Sequence, residues 1–318
     1  MSPAGPPDPT RCNLCGGPAS TLLAGPPRIV QCASCSLAAL AEFPAREARE
    51  AAYQEEYYRD GSGERFLRLF ELLVTGFRSL RARSILRRVH GPGALLDVGC
   101  GRGLLPALFR RRGWTAMGTQ LSRTAAEAAR ARYGVEVVVG ELPEASLPAG
   151  AFQVVTFFHV LEHLDRPEAY LRKARELLAP GGLLVVEVPN FASPGFRVLG
   201  TRNFCVDYPN HLVFFTPASL ERLLVRSGFA VVEISHFSLE YSPYTTLQNL
   251  LNLLPGEPGR LYRALMGNEE GKRLRRSFLT WLHAAIGFVL APVAFLLSLA
   301  GLFAPVGNTL RVYCRKPS

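Results

Sequence analysis

The sequence predicts an α/β protein: a mostly parallel sheet with helices on both faces, preceded by a small cysteine-bearing module and followed by an apolar helical insertion. Three observations predict this. Between Ala94 and Phe237, short apolar runs alternate with helical stretches, which implies right-handed crossovers and parallel strands. Two Cys-x-x-Cys pairs stand ahead of that pattern, and from Ser277 to Leu310 there is no Asp, Glu, Lys or Arg. A chain of 318 residues is long enough for one sizeable core and an appended module. Its 48% hydrophobic and 19% charged content excludes a disordered chain.

Residues 1–10 read as a loose tail, and the cysteine module ends near residue 42. A mainly helical connector spans 43–92. Its Phe66, Leu69, Phe70 and Leu73 recur at helical spacing and are expected to face a core. Gly91-Pro92-Gly93 ends that helix. The α/β core spans 93–240. Apolar runs read as buried strands at 94–98, 115–119, 135–139, 152–158, 183–188 and 230–236, with a seventh at 309–315. Helices are expected at 104–112, 122–132, 167–179 and 217–227, where Ser122 suits an N-cap and Pro167 a first turn. Residues 241–308 form the apolar insertion, and 309–318 the final strand and tail.

Cys12-x-x-Cys15, sixteen residues, then Cys32-x-x-Cys35 has the spacing of a zinc ribbon or knuckle. Each pair presents two thiolates to one tetrahedral ion. With four cysteine ligands the site is expected to be structural; redox thiols are the alternative. Met1 to Pro9 is Pro-rich without an apolar core, so a reducing, cytoplasmic compartment is expected. Cys100, Cys205 and Cys314 are scattered and read as core or loop thiols.

The stretch Leu95-Leu96-Asp97-Val98-Gly99-Cys100-Gly101-Arg102-Gly103 is a strand, a glycine-rich turn and a helix start. Glycines there permit positive φ and close approach of a ligand to the backbone, at the strand end where open α/β sheets bind ligands. Such a turn also occurs for packing alone. The run resembles motif I of the class I S-adenosylmethionine (SAM)-dependent methyltransferases. Further motifs follow in order: Phe152-Gln153-Val154-Val155 resembles the family's fourth strand, Val160-Leu161-Glu162-His163-Leu164 its post-strand segment, and Leu178-Ala179-Pro180-Gly181-Gly182-Leu183 the turn before its fifth strand.

The resemblance implies a Rossmann-like, seven-stranded sheet whose last strand, near Thr309 to Cys314, runs antiparallel beside the fifth. It implies SAM as cofactor. Asp97 would orient the glycine loop and the methionine end, and Gly99, Cys100, Gly101 and Gly103 would pass close to it. Glu141 and Leu142 would flank the adenine, and Phe158 and His159 would border the cofactor. The sequence departs from the family in one place. An acidic residue usually ends the second strand and binds the ribose hydroxyls; here Gln120, followed by Leu121, stands there. A carboxylate accepts two charge-assisted hydrogen bonds, whereas Gln120 offers one carbonyl and an amide donor.

Methyl transfer needs an acceptor held in line with the methyl group, and a hydroxyl acceptor also needs a base. His163, following Glu162, is a candidate base or a contributor to a metal site with Glu162; the plain alternative is that the pair braces a loop. His211, in Tyr208-Pro209-Asn210-His211, matches a histidine that related small-molecule enzymes place over the acceptor pocket; a buried histidine bonded to a carbonyl is the alternative. Four-cysteine modules resembling this one occur on bacterial methyltransferases of sugar nucleotides and on a group of ribosomal RNA methyltransferases. No Asn/Asp-Pro-Pro-aromatic motif of amino-group enzymes is present.

Phe278 to Pro305 is long and apolar enough for a membrane candidate, with Lys272, Arg273, Arg275 and Arg276 just before it. The final strand must return to the sheet, so a broken hairpin or in-plane helix pair across 277–306 at the inner membrane surface is expected; a cap buried on the protein is the alternative. The net charge of +10 favours anionic partners, although an Arg-, Ala-, Gly- and Pro-rich composition also follows from a GC-rich genome. The favoured reading is a SAM-dependent methyltransferase of oxygen or carbon on a sugar, quinone-like or lipid-linked acceptor. A zinc-bearing RNA methyltransferase and a non-catalytic membrane-associated binding protein are the alternatives.

Overall fold

The computed structural model describes residues 8–12, 14–45, 68–266 and 268–317. Phe66 lies outside them and the side chains of Leu69, Phe70 and Leu73 are not described, so the expectation that these four face a core falls outside the described residues.

Strands β1 (Ala19–Leu23), β2 (Ile29–Cys32) and β3 (Ala38–Leu40) form an antiparallel sheet in the cysteine module. Helix α1 (Arg68–Leu86) precedes the main sheet. That sheet is built from β4 (Ala94–Val98), β5 (Thr115–Gln120), β6 (Glu136–Val139), β7 (Phe152–Phe158) and β8 (Leu178–Pro189), joined later by β10 (Ala230–Ser235) and β11 (Thr309–Arg315). Its order is β10-β11-β8-β7-β4-β5-β6. The pairs β4–β5, β4–β7, β5–β6 and β7–β8 are parallel, and β11 runs antiparallel between β8 and β10. The expected seven-stranded, Rossmann-like sheet is therefore present, with its last strand inserted where expected.

Alternating side chains along each strand feed two cores. Leu95, Val154, Leu183 and Val185 face one side, with Ala82 and Ile85 of α1 and Phe109 of α2 (Leu104–Arg110). Leu96, Val155, Leu184 and Val186 face the other, with Leu171 and Leu177 of α4 (Pro167–Leu177). Full burial of each such side chain contributes about 1.5–3 kcal/mol. The caps are local: Ser122 accepts from the Ala125 N–H at the start of α3 (Arg123–Tyr133), and Gly134 closes it at φ 63°.

Two elements differ from the sequence expectation. Helix α4 stops at Leu177 because Pro180 disfavours helix at Ala179, and Leu178 instead pairs with Phe152. In the insertion, α7 (Ser242–Leu251), α8 (Arg260–Leu265) and α9 (Glu269–Arg275) lead to α10 (Phe278–Leu299). This last is one helix through Pro292 rather than a broken hairpin. Pro292 stands on the exposed side, so its missing hydrogen bond disturbs no packed contact.

The cysteine module is joined to the core by backbone. Strand β3 pairs with β9 (Val213–Phe214), which lies between α5 (Pro194–Leu199) and α6 (Pro217–Arg226). The Arg222 and Arg226 guanidiniums of α6 donate to the carbonyls of Ser34 and Leu14 at 2.6 and 2.8 Å.

Candidate functional site

The glycine turn leaves β4 with Gly99, Gly101 and Gly103 at φ 65°, 55° and 76°. All three are in the left-handed region that L side chains rarely adopt. Gly99 and Gly103 are also packed: a Cβ would stand 2.6 Å from Val160 and 3.0 Å from Ala129. Gly101 differs, because a Cβ there would meet nothing within 4 Å. The turn therefore opens a gap at its middle. Cys100 points away from that gap: its buried thiol fills the space over Gly118, where an added Cβ would collide with Sγ. Only the Cys100 backbone remains at the turn.

Asp97 is buried beneath the turn and accepts from the Thr156 hydroxyl at 2.6 Å. Burial pushes its carboxyl up to about 6, against the pull of Thr156 and Arg81. Gln120 ends β5, equally buried. Its carbonyl accepts the Leu121 N–H at 2.8 Å, and its amide nitrogen has no partner. Gln120 thus presents a donor, not an acceptor, to the strand end. Leu121 is exposed at the rim, Leu142 is fully buried after β6, and Glu141 precedes it. Because β4, β5, β6 and β7 are parallel neighbours, Asp97, Gln120, Glu141 and Phe158 share one edge of the sheet. An orphaned donor and an open glycine cradle at that edge fit a nucleoside with hydroxyl acceptors, as SAM is.

Past β7, His159 and His163 take opposite states. His159, at φ 56°, lies between Glu162 Oε1 (3.0 Å) and Glu187 Oε1 (3.4 Å), with the Tyr241 ring 4.0 Å away and tilted by 45°. Burial opposes its charge, while Tyr241 and both carboxylates favour it, and its proton affinity is raised well above the ordinary value. The two carboxylates are the groups within ion-pair distance of its ring nitrogens. His163 Nδ1 donates to the Asn210 carbonyl at 3.0 Å, which leaves the lone pair on Nε2. Burial and the neighbouring His211, 4.7 Å away ring to ring, push its proton affinity down to about 4. His211 Nδ1 bonds the Cys205 carbonyl at 2.8 Å.

Glu162, His163 and His211 are brought together, each with a ligand-type atom within 4.8 Å of the others. Glu162 is buried with its Oε2 unpartnered. Burial alone would raise its carboxyl, but His159 holds it below the usual range. The donor set suits a divalent cation of borderline softness as well as a proton-accepting site.

Sequence reasoning missed a buried ionic network beside these groups. Glu187, fully buried on β8, accepts from Arg311 Nε at 2.5 Å and lies 3.5 Å from Arg81 of α1. Arg81 also binds Glu240 at 2.5 Å and stacks over Phe158 at 3.9 Å. Burial opposes its charge, but Arg311 and Arg81 hold Glu187 far below the carboxylate range. The one available signal was the lone charge in the otherwise apolar run Leu183-Leu184-Val185-Val186-Glu187-Val188.

In the module, the four cysteines converge. Cys12 and Cys35 Sγ are 3.5 Å apart, Cys15 and Cys32 Sγ 3.4 Å, and all four sulfurs lie within 4.8 Å of one another. The Leu14 and Ser34 N–H groups donate to Cys12 and Cys32 at 3.3 Å. Converged thiols with backbone donors aimed at them fit a tetrahedral zinc site of four thiolates.

A family model described as a methyltransferase domain matches residues 74–234, half of the chain. The chain belongs to the methyltransferase-domain family. A ubiquinone biosynthesis O-methyltransferase of Psychrobacter arcticus is 32% identical over 165 residues, 48% of this chain and 63% of that relative. One of Azoarcus is 31% identical over 169 residues, 49% of this chain and 71% of the relative. The chain thus spans under two thirds of the first relative's length. A SAM-dependent methyltransferase from Archaeoglobus fulgidus, 21% identical, superposes with a TM-score of 0.50 over 84% of this chain and 99% of that one, which shows a common fold. The segment that matches the family contains the glycine turn, Asp97 and the Glu162–His163 turn.

Proposed function

We propose that the chain is a SAM-dependent methyltransferase that methylates a hydroxyl oxygen of a small, quinol-like or lipid-linked acceptor in the reducing cytoplasm. The observation that carries this reading is the adjacency of two features at one sheet edge. One is an open glycine turn over buried Asp97. The other is the Glu162–His163–His211 cluster, on the loop that leaves the neighbouring strand β7. The names of the relatives favour an oxygen acceptor over carbon.

In this reading the glycine turn and Asp97 hold the methionine end of SAM, with Gln120, Leu121, Glu141 and Leu142 around its ribose and adenine and Phe158 and His159 beside it. SAM supplies an electrophilic methyl group on a sulfonium. His163 Nε2 would accept the proton of the acceptor hydroxyl, leaving its oxygen to take the methyl group from the sulfonium. Burial, with His211 beside it, keeps His163 neutral, and the Glu162 carboxylate would stabilise the resulting imidazolium. The same three groups would hold a divalent cation that lowers the acceptor's pKa. The four-cysteine site holds zinc for structure, within a division into module, helical connector, core, insertion and closing strand at the bounds given above.

The test incubates the full chain with methyl-labelled SAM and a short-chain ortho-hydroxylated quinol, followed by mass spectrometry. A product heavier by one methyl group, absent with the thioether analogue of SAM that lacks the methyl, is expected. SAM binding without product would remove this acceptor class.

A further inference from the structure

Helix α10 is built inside out. Its buried seam is Thr280, His283, Gly287, Ala294 and Ser298, spaced three, four and seven residues apart. This narrow stripe of small and polar side chains packs on α7 and α8; Gly287 meets Leu251 and Leu261. Its outward side carries Phe278, Trp281, Phe288, Val289 and Leu296, and Phe303 follows its end; Phe278, Phe288 and Phe303 are 82–88% exposed. A water-facing helix has the reverse arrangement. Small residues at the helix contact with large apolar residues outward is the pattern of helices solvated by lipid.

The face has a border of net positive charge, although Lys272 pairs with Glu269 and Arg263 with Glu257 and Glu270. Residues 255–276 hold six basic and three acidic residues, and Lys272, Arg273 and Arg276 are exposed immediately before Phe278. A second copy of the chain would bring the same positive border to the contact, whereas an anionic surface attracts it. The helix cannot be half of a spanning hairpin: its packing partner α7 has ten residues, about half of what one crossing requires. It ends at Leu299, and β11 begins at Thr309 on the main sheet. Both ends of the insertion are therefore tied to the same side.

We propose that the outer face of α10, with Leu302 and Phe303, is a docking surface for an anionic lipid bilayer, with the helix lying in the interfacial plane. The proposal rests on exposure and charge and is independent of the reaction. It gives the protein a way to work on acceptors that reside in a membrane.

The chain carries its own probe. Of its two tryptophans, Trp281 is 67% exposed on this face, while Trp114 is 5% exposed and packed edge-on to Phe109. The experiment uses the full chain with vesicles of phosphatidylcholine alone or mixed with phosphatidylglycerol. Expected results are co-flotation with the mixed vesicles, weakened by added salt, and a blue shift of emission that brominated lipid quenches and Trp281→Phe abolishes. The triple variant Phe278→Ser, Phe288→Ser, Phe303→Ser should lower the partition coefficient at least roughly tenfold. Arg273→Gln with Arg276→Gln should weaken it several-fold for mixed vesicles only. Unchanged Trp114 emission reports that these variants remain folded. Wild-type chain that floats with neither vesicle, or that forms a dimer which the serine variant dissolves without any vesicle binding, overturns the proposal.

Discussion

Two clusters of ligand-type side chains lie on opposite ends of one backbone connection. The cysteine cluster has four like donors, two per turn, with its thiols converged and backbone N–H groups aimed at the sulfurs. The Glu162–His163–His211 cluster has one carboxylate and two imidazoles drawn from two loops, and one of its oxygens is unpartnered. The first is closed in having all four donors of a tetrahedral set; the second is open in having three donors and an unpartnered Glu162 Oε2. Strand pairing of β3 with β9, and the Leu212 N–H donated to the Glu162 carbonyl at 2.8 Å, tie the two together. A full donor set buries itself for stability, and an incomplete one keeps a place for a ligand.

The sharpest way to break this comparison is Cys32→Ser. Structural zinc in small modules is bound with about 10–16 kcal/mol, so the variant should lose its metal, and residues 8–45 should become protease-sensitive while the main sheet persists. Metal analysis with limited proteolysis checks this. Because β9 begins two residues after His211, turnover should fall as well. Retained zinc would show that the cluster is not closed in the sense argued.

Next in size is the open cluster itself. His163→Ala and Glu162→Gln should each lower kcat by about 10²–10⁴-fold, with SAM affinity measured by calorimetry unchanged within about twofold. Intact turnover in both variants would reduce the cluster to a loop brace.

Asp97 supplies a smaller, pH-dependent effect that sharpens the boundary between the cofactor edge and the open cluster. Its folded value of about 6 stands above the ordinary 3.8. The unliganded protein therefore gains stability from this group below about pH 4 and loses that contribution as pH rises through 6. If Asp97 faces the ammonium of SAM, as proposed, the sign for the cofactor is opposite, because that ammonium would favour the ionised carboxylate. SAM affinity should weaken as pH falls below 6, by close to tenfold per unit, and Asp97→Asn should bind weakly with a flat profile. Titration calorimetry across that range decides it.

The smallest effect is expected at Gln120. Its carbonyl already accepts from Leu121, and its amide nitrogen is the unpartnered group proposed to meet the ribose. Gln120→Glu should tighten SAM by about three- to tenfold, as a charge-assisted acceptor replaces a neutral donor. Weaker binding would mean that the amide is the better partner here.

Legibility in the sequence followed the range of the forces involved. The strands, the Ser122 cap, the glycine turn and the cysteine pairs could be read because each depends on neighbours a few residues away. Strand β11 could be placed beside β8 only through the family resemblance. Arg81, Glu187 and Arg311 could not be read as a group, since their partners stand 106 and 124 residues apart. The outward face of α10 was equally hidden: composition marked the segment as apolar, and only packing on α7 showed that its small residues point in.

By itself, the sequence determined the element order, the donors available for a metal, and a turn that only glycine can make, all consequences of covalent geometry and local spacing. The tertiary structure decided which of two histidines four residues apart keeps a proton, which side of an apolar helix faces out, and that the cysteine module shares a sheet with the segment following His211. Desolvation and Coulomb interactions act through space, so these depend on neighbours that no local pattern names.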